Sequence, residues 1–551
     1  MAAFMDGTDG TPEHSKALEA VSLEQSIATI KFWKEARTFE GVKLPPDIAR
    51  QLLILEIPPA TPAPFDENLA KELFSVQSML TNNYTDAQDC VKRPGCRKKA
   101  ELYNIVETSR SPSKLLSAWK EWHDPGSAIR APYARSVELL NKGARDFGQA
   151  DAGASQRAQY EMPPEAFAAE YERLWSQIRP LYEALHCHVR AKLHEHYGAL
   201  VPQHGLIPAH LLGNMWGQYW QNIDGLLGIP QGPAPINVTA SLKEQKYEPK
   251  KIVQTAEGFF RSMGFAELPP TFWKESVLAS VPGKKVDCHA SAFPIDPPRS
   301  DVRLKMCVEV AEEDFRTAHH ELGHIYYYLA YAKQPFLFQE GANPGFHEAL
   351  GDTLQLAITP SYLRQIGLAP KTASADSDDL PYLMRVALEK IPVLAMAVVI
   401  DSWRWKVYSG EISPEHYNQG WWDQVRKYQG FAPPLPRTEK DFDAGMLYQI
   451  SYNVPYDRYF TAGLLEFDFY RALCKAAGHT GELHRCSFYG STAAGDRLRK
   501  AMQLGRSAPW PDVLRALTGS DKIDGSAIVE YLAPVQAWLA KQNEGRQCGW
   551  K

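Results

Sequence analysis

Along most of the chain, apolar residues return every three or four positions. Phe167-Ala-Ala-Glu-Tyr-Glu-Arg-Leu-Trp175 and Leu383-Met-Arg-Val-Ala-Leu-Glu-Lys-Ile391 each gather their apolar side chains on one face of a 3.6-residue period, which predicts amphipathic helices. Two-residue alternation, the mark of a half-buried strand, is scarce. The 40 prolines collect in connectors such as Pro58–Pro64, Pro230–Pro235, Pro294–Pro298 and Pro433–Pro436, and each is expected to stop a helix. No internal repeat, low-complexity tract or shift of composition divides the sequence. The expected fold class is mainly α, as one large helical unit over residues 1–551.

Composition and charge narrow the function. With 551 residues, 44% of them hydrophobic, the chain can bury a sizeable core. A formal net charge of −5 offers nothing to nucleic acid or to anionic lipid, so no polyanion partner is expected. The longest apolar run, Ile391 to Ile400, contains Pro392 and is closed by Asp401, far short of the roughly 20 residues that span a bilayer. No membrane span is expected. Met1-Ala-Ala-Phe-Met-Asp-Gly7 lacks the basic and apolar regions of a signal peptide, so the chain is either cytosolic or begins at a mature or engineered start. Six of the eight cysteines fall in close pairs, Cys90 with Cys96, Cys288 with Cys307 and Cys474 with Cys486, and loops this short suit disulfides. Asn83-Tyr-Thr85 and Asn237-Val-Thr239 are glycosylation sequons, and together these features favour secretion. Cys187 and Cys548 are left unassigned.

The chemistry lies in His320-Glu-Leu-Gly-His324. Two histidines four residues apart share one face of a helix, so both imidazoles can reach a single ion at about 2.0–2.1 Å. Glu321 cannot join them in that geometry, but it can take a proton from an attacking water. Acidic Glu312, Glu313 and Asp314 suit the positive end of a helix, and Pro335 stops it after Lys333. A third ligand is expected in Glu348, 24 residues beyond His324, with Asp352 one turn further on to hold a ligand histidine by its free ring nitrogen.

Val286-Asp-Cys-His-Ala-Ser-Ala292, His319-His-Glu-Leu-Gly-His324, Glu340-Gly-Ala-Asn-Pro-Gly-Phe-His-Glu-Ala349 and Val454-Pro-Tyr-Asp-Arg-Tyr-Phe460 resemble the signature segments of the angiotensin-converting enzyme, or peptidyl-dipeptidase A, family. The likeness extends through His210-Leu-Leu-Gly-Asn-Met-Trp216, Trp421-Trp422 and Cys474-Lys-Ala-Ala-Gly-His479, over nearly all of the chain from about Cys90 onward. It implies a two-lobed helical ellipsoid of the gluzincin type with a deep channel, in which N-terminal helices over about 15–80 form a lid. It implies one zinc ion on His320, His324 and Glu348, with Glu321 as the base and Tyr459 as donor to the oxyanion of the tetrahedral intermediate. His289 and the backbone of Ala290 would hold the substrate's main chain. The three close cysteine pairs fall where the family has disulfides, which strengthens the expectation of a secreted protein whose signal peptide has been removed or replaced. Gly549-Trp-Lys551 stops about where the family's catalytic unit stops.

Some positions depart from the pattern. Of the residues that grip a substrate's C-terminal carboxylate, Gln218 and Tyr456 are kept, but the lysine position is Leu447 and the assisting histidine is Gln449. Tyr219 resembles instead the family's carboxypeptidase branch and could shorten the primed side, although Gln218 stands where that branch has an arginine. Of two anion sites, the first loses both arginines, to His123 and Val425 beside Trp421. The second keeps Tyr160 and Arg458, near Pro344 and Pro455, so one chloride is expected. The leading expectation is a peptidyl-dipeptidase acting on short peptides. The alternatives are a carboxypeptidase releasing one residue and a family member that binds peptides without turnover.

Overall fold

The computed structural model describes residues 12–91, 93–230, 236–279, 288–370 and 379–550. Val286 and Asp287 of the first signature segment, and positions 231–235 of the Pro230–Pro235 connector, lie outside them, as do residues 1–11.

Helices dominate, as the periodicity predicts. Those that frame the argument are α1 (Pro12–Arg37), α2 (Pro46–Glu56), α3 (Glu67–Gln88), α4 (Pro164–Tyr197), α5 (Glu312–Tyr331), α6 (Phe346–Leu356), α7 (Leu380–Tyr408) and α8 (Asp457–Ala476). α4 starts with proline in its first turn and ends at Gly198, whose φ of +61° an L side chain would resist. Phe167, Tyr171, Leu174, Trp175 and Ile178 are buried along it, the stripe read from the sequence.

Proline departs from its usual role at two kinds of place. Pro180 and Pro392 lie inside α4 and α7, and neither ends its helix. A proline removes one backbone bond and strains one turn. Here Ile391, Pro392, Leu394 and every residue from Ala395 to Asp401 are buried, and packing on all sides outweighs that local cost. The Pro294–Pro298 stretch is not a helix stop either. It forms the end of an antiparallel hairpin, β1 (Ser291–Asp296) with β2 (Asp301–Lys305), in which Ala292 faces Leu304, Pro294 faces Val302 and the register shifts before Asp296. Pro294 and a half-exposed surface hid the strand alternation.

All eight cysteines are paired. Cys90–Cys96, Cys288–Cys307 and Cys474–Cys486 close local loops, and Cys288–Cys307 ties the open end of the hairpin. Cys187 on α4 joins Cys548 across 361 residues. Beside that bond the Arg190 guanidinium donates to the carbonyls of Gln547 (2.7 Å), Gly549 (2.6 Å) and Gly205 (3.0 Å), which pins the last turn of chain to α4. No helix among the described residues is long and apolar enough to cross a membrane.

The candidate site forms where α5, α6 and α8 pack together, with β1 lying against α5. Close approach of α5 and α6 depends on two glycines. A Cβ on Gly323 would meet the Gly351 Cα at 2.9 Å, and a Cβ on Gly351 would meet the His320 ring at 2.6 Å. The glycine within the His-Glu-Leu-Gly-His run is therefore a packing requirement that lets α6 bring its carboxylate to the histidines.

Candidate metal centre

α5 begins at Glu312, with Glu313 and Asp314 also in its first turn, and the Glu312 amide donates to Thr239 Oγ1 at 2.9 Å. Two turns on, His320 and His324 point the same way. His320 Nε2 lies 3.1 Å from His324 Nε2 and 3.4 Å from Glu348 Oε2, and the remaining side, His324 Nε2 to Glu348 Oε2, is 4.0 Å. Three atoms at these separations lie on a circle of radius about 2.1 Å, the bond length of zinc to nitrogen or carboxylate oxygen. Two neutral imidazoles and one carboxylate are a zinc donor set with a position left for water or substrate. These residues fit the ion.

The surroundings fix both rings. His320 Nδ1 donates to Asp352 Oδ1 at 3.1 Å, which leaves Nε2 free to ligate. Burial pushes the Asp352 carboxyl up, but Lys390, 4.0 Å away, and the His320 bond outweigh it and bring Asp352 down to about 2. Lys390 is itself held by the fully buried Glu466 at 2.9 Å. On the other side, His324 Nδ1 lies 3.3 Å from His347 Nδ1, and His347 Nε2 lies 3.1 Å from the Tyr331 hydroxyl. If His324 keeps Nε2 for a metal, its Nδ1–H donates to His347, whose proton then sits on Nε2 toward Tyr331. Burial holds both rings neutral, with His324 lowered to about 4 and His347 well below its ordinary range.

Sequence reasoning missed His347, Lys390 and Glu466. The first was in plain view beside Glu348; the others sit on α7 and α8 and meet Asp352 only through the tertiary fold.

Glu321 is buried, which raises its carboxyl above the usual range and suits a base working near neutral pH. The Ala292 amide on β1 bonds to it, so the hairpin strand runs alongside the proposed centre. His289 is exposed just ahead of that strand, and its Nδ1 lies 2.8 Å from the Ala290 carbonyl, which also accepts from Ser291 Oγ at 2.7 Å. Tyr459, on the first turn of α8, lies in the field of Glu348, and its ring centroid is 4.8 Å from that of the buried Tyr456. Burial raises the Tyr459 hydroxyl to about 12, so it stays protonated and can donate. Tyr219 lies near enough to Tyr456, Lys390 and Asp352 to feel their charge, and burial raises its hydroxyl as well. Gln218 and Gln449 each bury an amide Oε1 that has no hydrogen-bond partner, and Leu447 is buried.

The two anion positions differ from each other. At the first, His123 is stacked on Trp119 at 3.9 Å and burial lowers it to about 4, so it is neutral; Val425 is buried nearby. Neither can hold an anion. At the second, where one chloride is expected, Tyr160 and Arg458 come together. Thr461 Oγ1 reaches the carbonyls of Asp457 (3.0 Å) and Arg458 (3.1 Å), so the Tyr160 hydroxyl, 3.1 Å away, donates to Thr461 and is committed there. The carboxylate of Asp457 is buried beside Arg458.

Comparison with known proteins agrees with this geometry. The family model described as angiotensin-converting enzyme, Peptidase_M2, matches residues 1–550. Angiotensin-converting enzyme of Bos taurus is 39% identical over 551 residues, covering 98% of this chain and 42% of that protein. Angiotensin-converting enzyme of Sus scrofa is 40% identical over 555 residues, with 98% and 42% covered. The relative from Theromyzon tessulatum, also an angiotensin-converting enzyme, is 41% identical over 485 residues, covering 87% of this chain and 78% of its own. The chain thus spans less than half the length of the mammalian relatives. With the match running from residue 1 to residue 550, it belongs to the angiotensin-converting enzyme family.

Proposed function

We propose that the protein is a zinc metallopeptidase that hydrolyses peptide bonds near the free C-terminus of short peptides and releases dipeptides. The observation that carries the reading is the triangle of His320, His324 and Glu348, sized for one zinc ion and backed by Asp352. Zinc, when bound, supplies a Lewis acid that polarises the scissile carbonyl. Glu321, next in sequence to His320, takes the proton of the attacking water and passes it to the leaving amine. Tyr459 donates its hydroxyl to the oxygen on which negative charge develops, where one oriented donor contributes about 3–4 kcal/mol. β1 and the His289–Ala290 segment align the substrate's main chain beside Glu321.

The C-terminal carboxylate is gripped by Tyr456 and by the amides of Gln218 and Gln449, whose unpartnered Oε1 atoms give way to Nε2–H donors when the amides turn about their last bond. With leucine at position 447, that grip lacks the charge-assisted bond of a lysine, worth on the order of 1.5–3 kcal/mol, so binding of ordinary peptides is weak. We further propose one peptidase domain over 1–551 with α1 to α3 as its lid; exposed Val21, Ile27, Phe32, Leu53 and Met79 on those helices give the lid an apolar face. Four disulfides favour a secreted protein.

Tyr219, close to Tyr456, supports a second reading in which only one residue fits beyond the scissile bond. Mass spectrometry of a peptide digested by the zinc-loaded protein separates the two. Loss of residue pairs from the C-terminus supports the dipeptidase, and a ladder of single losses supports the carboxypeptidase. No cleavage across a broad set of zinc-loaded digests would leave a peptide-binding protein without turnover.

A further inference from the structure

Asp457 was not expected to carry a role. It opens α8, directly between Tyr456 and Arg458, and is buried. Its Oδ2 has no hydrogen-bond partner, and neither does Arg458 Nε. A buried acceptor and a buried donor left open in one cluster can be bridged by one water. Chloride would serve only half of this pair. It accepts but cannot donate, so it would leave Asp457 Oδ2 unpaired and add a second anion beside a buried carboxylate. Burial and the nearby Asp457 raise a second carboxylate, Asp401, which is already bonded by the Tyr171 hydroxyl at 2.8 Å. The only hydroxyl expected to hold the chloride, that of Tyr160, is engaged by Thr461, whose own hydroxyl bridges to the Asp457 and Arg458 backbone.

We propose that Asp457 is a tethered counter-anion for Arg458, taking the place of a dissolved chloride so that the site binds none. The charge that balances Arg458 is then built into the chain. Because Arg458 separates Asp457 from Tyr459, the carboxylate acts as a positioning residue: it holds the start of α8 in the arrangement that presents the Tyr459 hydroxyl. This rests on the peptidase reading where activity is concerned, but binding of chloride can be measured without it.

The test compares zinc-loaded wild type with D457N and D457V in sodium acetate and in sodium chloride of equal ionic strength, up to about 0.3 M, by thermal unfolding and by peptide hydrolysis. The wild type is expected to show the same Tm in both salts to within about 1 °C and a flat kcat/KM. The variants, having lost the tethered charge, are expected to unfold several degrees higher in chloride than in acetate, and to regain in chloride a kcat/KM that is depressed about tenfold or more in acetate. A saturable, chloride-specific rise in the wild-type Tm overturns the proposal, as do folded variants that are as indifferent to chloride as the parent. If neither variant folds, the wild-type comparison alone decides. A wild type that cleaves no peptide counts against the peptidase reading and leaves the unfolding result standing.

Discussion

Replacing Asp352 separates the hydrogen bond that orients His320 from the charge that strengthens it. In the wild type, Asp352 accepts from His320 Nδ1 at 3.1 Å, and Lys390 beside it keeps the carboxylate ionised. A charge-assisted bond of this kind contributes about 1.5–3 kcal/mol, and about 1.4 kcal/mol corresponds to a factor of ten in affinity. D352A removes the whole interaction and is predicted to weaken zinc binding about 100-fold. D352N keeps an acceptor of similar shape without the charge and should lose about tenfold. Lys390 retains Glu466 in both variants, so the fold is not left with an unpaired buried ammonium. Zinc dissociation constants from competition with a fluorescent chelator measure the effect, with circular dichroism as the check on folding. Folded variants that both bind zinc within about twofold of wild type would refute the account of Asp352.

Further consequences can be measured on the same protein. Y459F is expected to lower kcat about 100-fold or more with zinc content unchanged, because the lost donor acts on the developing oxyanion; single-turnover kinetics show the split. Zinc affinity should fall as the pH is lowered. Burial alone would depress His320, but the bonds to Asp352 and Glu348 raise it well above its ordinary value in the metal-free protein, so zinc must displace a proton, at up to about one decade of affinity per pH unit. Isothermal titration in buffers of different ionisation enthalpy counts that proton. Paired replacement of Cys187 and Cys548 by serine opens a loop of 361 residues, which chain entropy values at about 6 kcal/mol, and should lower Tm by several degrees in calorimetry.

The parts of the site that were legible in the sequence are those encoded by helical spacing. His320 and His324 stand four apart on α5, and Glu348 and Asp352 four apart on α6, so each pair declares a shared face before any tertiary contact is known. The role of His347 was hidden for the opposite reason. Its neighbour Glu348 faces the histidines from the next position along, and only the crossing of α5 over α6, permitted by Gly323 and Gly351, brings its ring to His324. Lys390 and Glu466 read as ordinary members of amphipathic helices until α7 and α8 converge behind Asp352. Helix class was plain from the 3.6-residue period, whereas helix length was not, because Pro180 and Pro392 are tolerated only by packing that a local reading does not contain. The hairpin at 291–305 was masked by Pro294, and the Cys187–Cys548 bond has no local signature at all.

The central claim is that one zinc ion on His320, His324 and Glu348 powers peptide hydrolysis with Glu321 as its base. Stripping the metal with a chelator and returning zinc in measured steps, with bound zinc and peptide cleavage followed on the same samples, tests it most directly. Cleavage should be absent from the stripped protein, rise in proportion to bound zinc and level off at one ion per chain, while E321Q binds zinc as tightly and cleaves almost nothing. Peptide cleavage by the stripped protein, or E321Q activity close to wild type at full zinc, would contradict it.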